Sequence, residues 1–303
     1  MSMELTILGC YSATPRPKTH PTSQVLSIKN HLFLIDCGEG TQVQLRRCKV
    51  KFSRIKHIFI SHLHGDHYFG LIGLISTFML LGREAELNIY GPKGIKEVIM
   101  LQLKLGKSWF NYPLNFHELE CKESEIIFED DKVTVITVPL KHRVYTNGFV
   151  FKEKLGERKI NIEAVKENNI DMSYLKKIKQ GTDIENNDGK LISNKQITFD
   201  PEKPKSYAFC SDTQYYPACI PTIKNVTALY HESSFLDEHE YLCVKTRHST
   251  ARQAALIAKE ATVDRLILGH YSTRYPSIEK FKTEAKEVFD NVELAEDGKK
   301  FII

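Results

Sequence analysis

The sequence predicts an α/β protein organised as an αββα sandwich, in which two β-sheets pack face to face between outer helices. Two observations predict this class. Short runs of β-branched and apolar residues, which are typical of strands, dominate the first half of the chain and return later. Helical segments stand between the later strands without the strict alternation of a doubly wound parallel sheet. The 303 residues are 42% hydrophobic and 26% charged, as in globular proteins.

The first half of the chain supplies most of the predicted strands. They are Leu5–Leu8, Gln24–Ile28, Leu32–Asp36, Ile55–Ser61, Leu87–Tyr90 and Val133–Val138. The run Tyr68–Leu81 has helical length, and a further helix is expected to end near Leu105. The longest apolar run, at 70–82, is well short of the roughly 18 residues that a membrane span requires, so no membrane segment is expected.

The composition changes after Phe151. The segment 152–204 is polar, rich in Lys, Glu, Asn and Asp, and poor in branched apolar residues. It contains a helical stretch at Ile162–Asn168 and a basic patch at Tyr174–Lys179. The core pattern then resumes in three strands and two helices. The strands are Ser206–Ser211, Ala228–His231 and Arg265–His270, and the helices are Ala251–Ala261 and Ile278–Phe289. We therefore expect one domain over residues 1–303, with 152–204 inserted as a flexible arm.

The charge, the cysteines and the first residues indicate what class of protein to expect. Forty-two basic residues against 38 acidic residues give a net charge of +4, which permits a polyanionic partner without requiring one. Seven dispersed cysteines without a C-x-x-C spacing give no disulfide framework and no zinc knuckle, so a reducing cytoplasm is expected. The first residues carry no basic region and no small-residue cleavage site, so no secretory signal is expected.

Four potential metal ligands follow directly after the predicted strand Ile55–Ser61. Residues 61–67 read SHLHGDH, so His62, His64, Asp66 and His67 form an H-x-H-x-D-H string. A strand end can direct two residues at this spacing to the same side, and the following turn brings the other two around. Imidazole nitrogen and carboxylate oxygen are ligands that zinc takes in proteins. This density of ligands predicts a metal site.

The string and its surroundings resemble the ribonuclease Z family, the tRNA 3′-processing endonucleases of the metallo-β-lactamase superfamily. The string alone indicates only the superfamily. The narrower resemblance depends on blocks from about Leu5 to Tyr275: Asp36–Gln42 (DCGEGTQ), Ser61–Leu71, Tyr90–Gly94, Pro139–His142, Ser211–Thr213, His231–Phe235, His248–Thr250, Gly269–His270 and Arg274–Tyr275. The resemblance implies an αββα sandwich of the metallo-β-lactamase type.

The resemblance also implies two zinc ions per chain and a phosphodiesterase reaction. The seven ligands are expected to divide into two sets that share Asp212 as a bridge: His62, His64 and His142 for one ion, and Asp66, His67 and His270 for the other. A hydroxide between the ions is expected to attack the phosphorus. The cut is expected to remove the 3′ trailer from precursor tRNA and to leave a 3′-hydroxyl on the tRNA.

Four residues are expected to act in catalysis by the same resemblance. Asp66 is expected to accept a proton as well as to bind metal. His248 stands just before a helix that opens with a predicted capping box, and it is expected to act on the leaving 3′-oxygen with Glu232 as its acidic partner. Arg274 offers a planar guanidinium that can hold phosphate oxygens.

The expected partner is precursor tRNA, and the expected assembly is a homodimer in the cytoplasm. In the family, an inserted arm holds the tRNA far from the metals, and 152–204 stands at that position. The family's Gly-Pro element is not found in its expected place, Ile170–Tyr174. The stretch Leu71–Leu81 and the arm are expected to serve the partner's substrate. The arm residues expected to contact the RNA are Tyr174, Lys176, Lys177 and Lys179.

Two other functions are compatible with parts of the pattern. A small-molecule hydrolase on the same scaffold, such as a phosphodiesterase, lactonase or sulfatase, would use the same metal ligands. Such an enzyme has no use for a distant basic arm or for the blocks that contain Glu232 and His248. An RNA-binding subunit without catalysis is disfavoured because all seven ligands are present. A ribonuclease is therefore the leading hypothesis.

Overall fold

Two seven-stranded β-sheets form the framework of the computed structural model, which describes residues 3–303. Both sheets belong to one compact unit, which comprises the described chain up to Lys152 together with Lys205–Ile303. A second compact unit comprises Glu153–Pro204. Among residues 3–303, no helix combines the length and the apolar character that crossing a membrane requires.

The first sheet joins the beginning of the chain to its end. Its strands are β1 (Glu4–Gly9), β2 (Ser23–Ile28), β3 (His31–Cys37), β4 (His57–Phe59), β5 (Leu87–Pro92), β6 (Leu114–Leu119) and, last in the chain, β18 (Lys300–Ile302). In space β18 lies beside β1, and β1 to β6 follow in chain order. The strands β18 to β3 pair antiparallel, whereas β3 to β6 pair parallel.

The second sheet is built from the middle and the later part of the chain. Its strands are β7 (Ile126–Glu129), β8 (Val133–Pro139), β9 (Asn147–Glu153), β14 (Ser206–Cys210), β15 (Ala228–Glu232), β16 (Leu266–Gly269) and β17 (Val292–Leu294). The spatial order is β17, β16, β15, β14, β9, β8 and β7, and β14 to β17 pair parallel. The carboxyl ends of β14, β15 and β16 therefore lie at one edge of the sheet.

Alternating side chains along the strands give the first sheet two buried faces. In β3, Phe33 and Ile35 belong to the core that lies between the sheets, whereas Leu34 belongs to the core beneath the helices. The Phe33 ring lies 5.5 Å from the ring of Phe151, which is on the second sheet. A strand that is buried on both faces needs an unbroken apolar run, and this explains the sequence LFLI at 32–35.

Helices cover the outer faces of both sheets, which confirms the predicted αββα sandwich. The helices of this unit are α1 (Thr41–Arg47), α2 (Gly65–Leu80), α3 (Ile95–Leu105), α7 (Ile220–Ile223), α8 (Glu240–Thr246), α9 (Ala251–Glu260) and α10 (Glu279–Lys286). Buried residues of α2 and α3 pack against the first sheet, and those of α9 and α10 pack against the second. Single 3-10 turns lie at Phe52–Arg54, Met172–Tyr174, Pro217–Cys219 and Asp237–His239.

The helix α2 begins three residues earlier than the sequence indicates. It was expected from Tyr68, but its first residue is Gly65, so Asp66 and His67 lie in its first turn. Negative charge is favourable there because the helix dipole is positive at its N-terminus. A Cβ atom on Gly70 would lie 2.1 Å from the carbonyl oxygen of Gly38, so glycine allows the helix to pack directly on the loop after β3.

The second compact unit has a small core of its own. Its elements are β10 (Lys159–Ile160), α4 (Ile162–Glu167), α5 (Leu175–Lys179), β11 (Ile184–Glu185), β12 (Leu191–Ile192), α6 (Asn194–Ile197) and β13 (Thr198–Phe199). Its buried core residues are Val165, Ile170, Ile178, Ile184, Ile192 and Ile197. The segment is polar overall, and six branched apolar residues are enough to form this core. Its role as an arm stays a prediction.

Candidate metal centre

The carboxyl ends of strands from both sheets bring seven predicted ligands together. His62 and His64 follow β4, Asp66 and His67 lie in the first turn of α2, and the remaining three follow strands of the second sheet: His142 after β8, Asp212 after β14 and His270 after β16. Their ligand atoms form two groups, each within a span of 4.8 Å: His62, His64, His142 and Asp212, and Asp66, His67, Asp212 and His270. Asp212 belongs to both groups.

In the first group, three imidazole nitrogens face one oxygen of Asp212. His64 Nδ1 lies 3.0 Å from His62 Nε2 and 3.3 Å from His142 Nε2. The oxygen Oδ2 of Asp212 lies 3.6 Å from His62 Nε2 and 3.8 Å from His142 Nε2. Burial holds the pKa of His142 down to about 4, so its imidazole is neutral and carries a lone pair at neutral pH.

In the second group, the other oxygen of Asp212 faces two imidazoles and a second carboxylate. Asp212 Oδ1 lies 3.1 Å from His270 Nε2 and 3.3 Å from His67 Nε2. Asp66 Oδ2 lies 3.5 Å and 3.4 Å from the same two nitrogens. Because Asp212 offers one oxygen to each group, it has the geometry of a carboxylate that can bridge two cations.

Two buried nitrogen atoms indicate that a cation fits between these ligands. His67 Nε2 and His270 Nε2 are fully buried and have no hydrogen-bond partner among the described residues, although they face carboxylates. Burial opposes a charge on His67, but three surrounding carboxylates still raise its pKa well above its ordinary value. A metal ion would replace that proton and satisfy both nitrogens. The donor set of imidazoles and carboxylates therefore suits a divalent metal.

A further layer of hydrogen bonds fixes the orientation of the ligands. Asp36 Oδ2 lies 2.7 Å from His67 Nδ1, and Asp36 also accepts hydrogen bonds from the backbone N–H of Ser61 (2.7 Å) and its hydroxyl (2.9 Å). His142 Nδ1–H donates to the carbonyl of Arg247 at 2.8 Å. His270 Nδ1 lies 2.9 Å from the Ser234 hydroxyl. Each bond engages Nδ1 and leaves Nε2 for a metal.

Two of these positions have an uncommon backbone conformation. Asp36 has a φ of 54° and His270 has a φ of 59°, both in the left-handed region that non-glycine residues rarely adopt. Both residues are buried and lie directly at or behind the ligand groups. Strain of this kind persists only where the surrounding structure holds it, and it clusters at functional sites.

His248 and Glu232 form a buried pair at the edge of the ligand groups. His248 Nδ1 lies 2.8 Å from Glu232 Oε1, and its Nε2 lies 4.0 Å from Asp212 Oδ2. Burial alone would lower the pKa of His248, but the Glu232 carboxylate raises it to about 9. Glu232 is itself held by the backbone N–H groups of Thr213, Ser234 and Ser249. The predicted capping box of α9 is confirmed by reciprocal bonds between Thr250 and Gln253.

An open cleft of about 380 Å³ leads to the ligand groups, and the predicted residue Arg274 does not line it. Arg274 is exposed, and its backbone N–H donates to the Ser272 hydroxyl. The arginine that lines the cleft is Arg143, which was not predicted from the sequence. The phosphate-binding role of Arg274 stays a prediction.

The predicted arm residues lie in the compact unit Glu153–Pro204. Lys176, Lys177 and Lys179 are exposed around the single turn of α5, whose Ile178 is buried in the core of that unit. The ammonium of Lys177 lies 5.5 Å from the ring centroid of Tyr174. Lys179 Nζ lies 3.8 Å from Glu157, which offsets part of its charge.

Four residues hold the ligands from behind, and none of them was assigned this role from the sequence, although Asp36, Ser61 and Ser234 lie in the blocks that carry the resemblance. Asp36, Ser61, Ser234 and Arg247 all make such contacts. A role for Asp36 could have been predicted, because it is an acidic residue at the end of an apolar strand. Arg247 carried no signal, because its contribution is a backbone carbonyl in a left-handed conformation.

Comparisons with known proteins give close relatives over the full length of the chain. Ribonuclease Z of Bacteroides fragilis is 44% identical over 295 residues, which are 97% of each chain. Ribonuclease Z of Cytophaga hutchinsonii is 44% identical over 306 residues, covering 100% of this chain and 97% of that one. The family model described as anti-Pycsar protein Apyc1 matches residues 3–156, so this half of the chain also belongs to that family.

Solved structures give the same result for the fold. Human tRNase Z, short form, superposes with a TM-score of 0.72 at 26% identity, covering 99% of this chain and 98% of that one. The metallo-β-lactamase fold protein YhfI from Bacillus subtilis superposes with a TM-score of 0.69 at 19% identity, covering 99% and 98%. With its two sheets, its ligand groups and its relatives along the whole chain, the protein belongs to the ribonuclease Z family.

Proposed function

We propose that this protein is a metal-dependent endoribonuclease that removes the 3′ trailer from precursor tRNA. The observation that carries the proposal is Asp212, which offers one oxygen to each of two adjacent ligand groups. Paired metals held in this way stabilise both the attacking and the leaving oxygens of a phosphodiester during an in-line displacement. Similarity to proteins named ribonuclease Z supports RNA as the diester.

Two zinc ions per chain are the proposed metals, because imidazole-rich sets with carboxylates suit zinc. His62, His64, His142 and Asp212 Oδ2 would hold one ion, and Asp66, His67, His270 and Asp212 Oδ1 would hold the other. When bound, the ions would supply Lewis-acid stabilisation of the phosphoryl oxygens and a water of lowered pKa.

His248 is proposed as the general acid for the leaving 3′-oxygen. Its Nδ1 is engaged by Glu232, so Nε2 is the nitrogen that faces the cleft. With a pKa raised to about 9 by Glu232 despite burial, the imidazole is protonated at neutral pH. A proton passing from Nε2 to the leaving oxygen gives a 3′-hydroxyl on the tRNA and leaves the phosphate on the trailer.

Asp66 is proposed to act as a ligand and as the acceptor of the proton that the attacking water loses. Burial would raise the pKa of Asp66, but His67 and His270 hold it below the usual range, so the carboxylate is ionised. One of its oxygens faces His67 and His270, and the residue also lines the open cleft. An ionised carboxylate at this position can take up a proton when substrate is bound.

The RNA-binding residues and Arg274 are proposed from the family resemblance. Tyr174, Lys176, Lys177 and Lys179 are proposed to contact the tRNA backbone, and the exposed lysine side chains support this. Contacts of this kind attract any phosphate backbone and position the substrate without reading its sequence. Arg274 is exposed and is proposed to contact a phosphate outside the cleft.

A homodimer in the cytoplasm is proposed for the assembled enzyme. The stretch Leu71–Leu81 is only partly available for an interface, because Leu71, Leu74, Ile75 and Phe78 are buried under the first sheet. Leu80 and Leu81, at the end of α2, are 80% and 59% exposed and support an interface there. Seven unpaired cysteines support a reducing compartment. Sedimentation equilibrium of Leu80→Lys beside the unchanged protein tests the dimer.

The small-molecule hydrolase is not favoured. It shares the ligand groups but gives no reason for the similarity to ribonuclease Z over 97% of the chain. A subunit without catalysis is also disfavoured, because the structure brings all seven ligands together.

The test is to incubate zinc-loaded protein with a precursor tRNA that carries a 3′ trailer, and to map the cut and the end groups. We expect a cut just after the discriminator base, with a hydroxyl on the tRNA and a phosphate on the trailer. The variant Asp66→Ala should lose this activity. Intact RNA in the presence of a protein that binds two metal ions per chain would contradict the proposal.

A further inference from the structure

Arg143 is a cation on the rim of the metal cleft. It lines the cleft together with His64, Asp66 and His248, and it is exposed. Among residues 3–303, no carboxylate forms an ion pair with Arg143, and no group accepts a hydrogen bond from its guanidinium. The guanidinium is therefore available to a bound molecule.

The two residues just before Arg143 are held by three hydrogen bonds. His142 Nδ1–H donates to the carbonyl of Arg247 at 2.8 Å, and Arg247 Nη1 donates back to the carbonyl of His142 at 2.9 Å. The N–H of Lys141 donates to the Thr213 hydroxyl at 3.1 Å. A fixed backbone lowers the entropy that must be lost when the side chain is ordered by a ligand.

The chemistry of the cleft indicates what this ligand is. The two carboxylates that line it, Asp66 and Asp212, already face the ligand histidines at 3.1–3.8 Å. An arginine without a protein partner beside a phosphodiesterase centre matches phosphate in charge and in the geometry of its donors. A small diester has only the phosphate that the metals take, whereas RNA has a further phosphate at each neighbouring nucleotide.

We propose that Arg143 binds a backbone phosphate adjacent to the scissile one, and that it thereby favours RNA over small phosphodiesters. This inference rests on the proposed function and names a specificity-determining residue for it. The contact is made to a phosphate that does not react, so it stabilises the bound substrate and the transition state equally. Its loss should therefore appear in KM for RNA more than in kcat.

The experiment compares Arg143→Ala and Arg143→Lys with the unchanged zinc-loaded protein. The substrates are precursor tRNA with a trailer, a short single-stranded oligoribonucleotide and bis(p-nitrophenyl) phosphate. We expect the ratio of kcat/KM for RNA to that for the small diester to fall roughly tenfold in Arg143→Ala, mainly through KM, and to recover largely in Arg143→Lys. The slope of log(kcat/KM) against log salt should decrease by about 0.7, the value for one phosphate contact on a single strand.

The matched control is Arg54→Ala, an exposed arginine outside the cleft whose Nη2 donates to the Asn30 carbonyl at 3.3 Å. It should leave both the ratio and the slope unchanged. Equal losses on all substrates, a lower metal content in Arg143→Ala, or an unchanged salt slope would each overturn the inference. Unchanged protein that cuts the small diester but not precursor tRNA would overturn the proposed function instead, and the oligoribonucleotide would then still test Arg143.

Discussion

Replacing Asp36 with Asn tests whether the hydrogen bond behind His67 controls metal binding. Asp36 is fully buried, with Oδ2 at 2.7 Å from His67 Nδ1 and Oδ1 accepting the backbone N–H of Ser61 at 2.7 Å. An amide of the same shape has only one acceptor oxygen and carries an NH₂ donor in place of the other. Whichever way it points, either His67 or Ser61 loses its acceptor.

The magnitude follows from the two orientations of the amide. If the NH₂ group faces His67, Nδ1 must accept a hydrogen bond, and Nε2 then carries the proton and cannot bind metal. If it faces Ser61, two donors oppose each other in a buried place. Partners of this kind typically change metal affinity by about 10- to 100-fold, or about 1.4–2.8 kcal/mol. Asn also tolerates the left-handed conformation of Asp36, so the backbone should be retained.

The assay is competition between the protein and a zinc chelator of known affinity, which resolves the two bound ions. We expect one ion in Asp36→Asn to bind 10- to 100-fold more weakly, in line with these outer-layer effects, and the other to change little. The control is Asp130→Asn, because Asp130 Oδ2 lies at the same 2.7 Å from His31 Nε2 but belongs to neither ligand group. Two ions bound to Asp36→Asn with unchanged affinity would refute the reasoning.

Three further perturbations test other contacts. Glu232→Gln removes the charge that holds the pKa of His248 at about 9, so the alkaline limb of the pH profile of kcat should move to lower pH. If the limb does not move, a group other than His248 causes it. Burial holds the pKa of His57 at about 4, so the unfolded chain takes up a proton first as the pH falls below about 6.5. Between pH 7 and pH 5, the free energy of unfolding in urea should fall by about 1 kcal/mol more in the unchanged protein than in His57→Phe. Equal falls in the two proteins would contradict this. Alanine at Lys176 and Lys177 should raise KM for precursor tRNA by about 3- to 10-fold at unchanged kcat, and an unchanged KM would argue against the arm contact.

The part of the site that is local in sequence could be predicted from residue types alone. His62, His64, Asp66 and His67 lie within one strand–turn–helix segment, and a strand end followed by a helix start necessarily keeps them close. Asp212, the expected bridge, is different. Its position depends on β14 lying between β9 and β15, and pairings of that range leave no periodic signal in a single sequence. It was predicted through the resemblance, as were His142 and His270.

The parts that were missed depend on contacts between distant segments. Asp36 acts on His67 because β3 and β4 are parallel neighbours, and the role of Arg247 depends on a carbonyl that any residue would provide. The core of the second unit was overlooked because its isoleucines are separated by polar runs without a helical or strand period. A few spaced apolar residues can form a core once short hairpins and turns gather them.

The pairing of β18 with β1 has a consequence for how the protein is made. Three residues near the carboxyl end complete the edge beside the first strand, with Glu4 opposite Ile302 and Thr6 opposite Lys300. At roughly 5–20 residues per second, synthesis reaches that strand about 15–60 seconds after the first one has formed. During this interval an apolar strand has an open edge that can pair with another chain. We therefore expect the nascent chain to be more prone to edge-to-edge aggregation during this interval than after β18 has paired, and chaperones that shield strand edges should raise its yield.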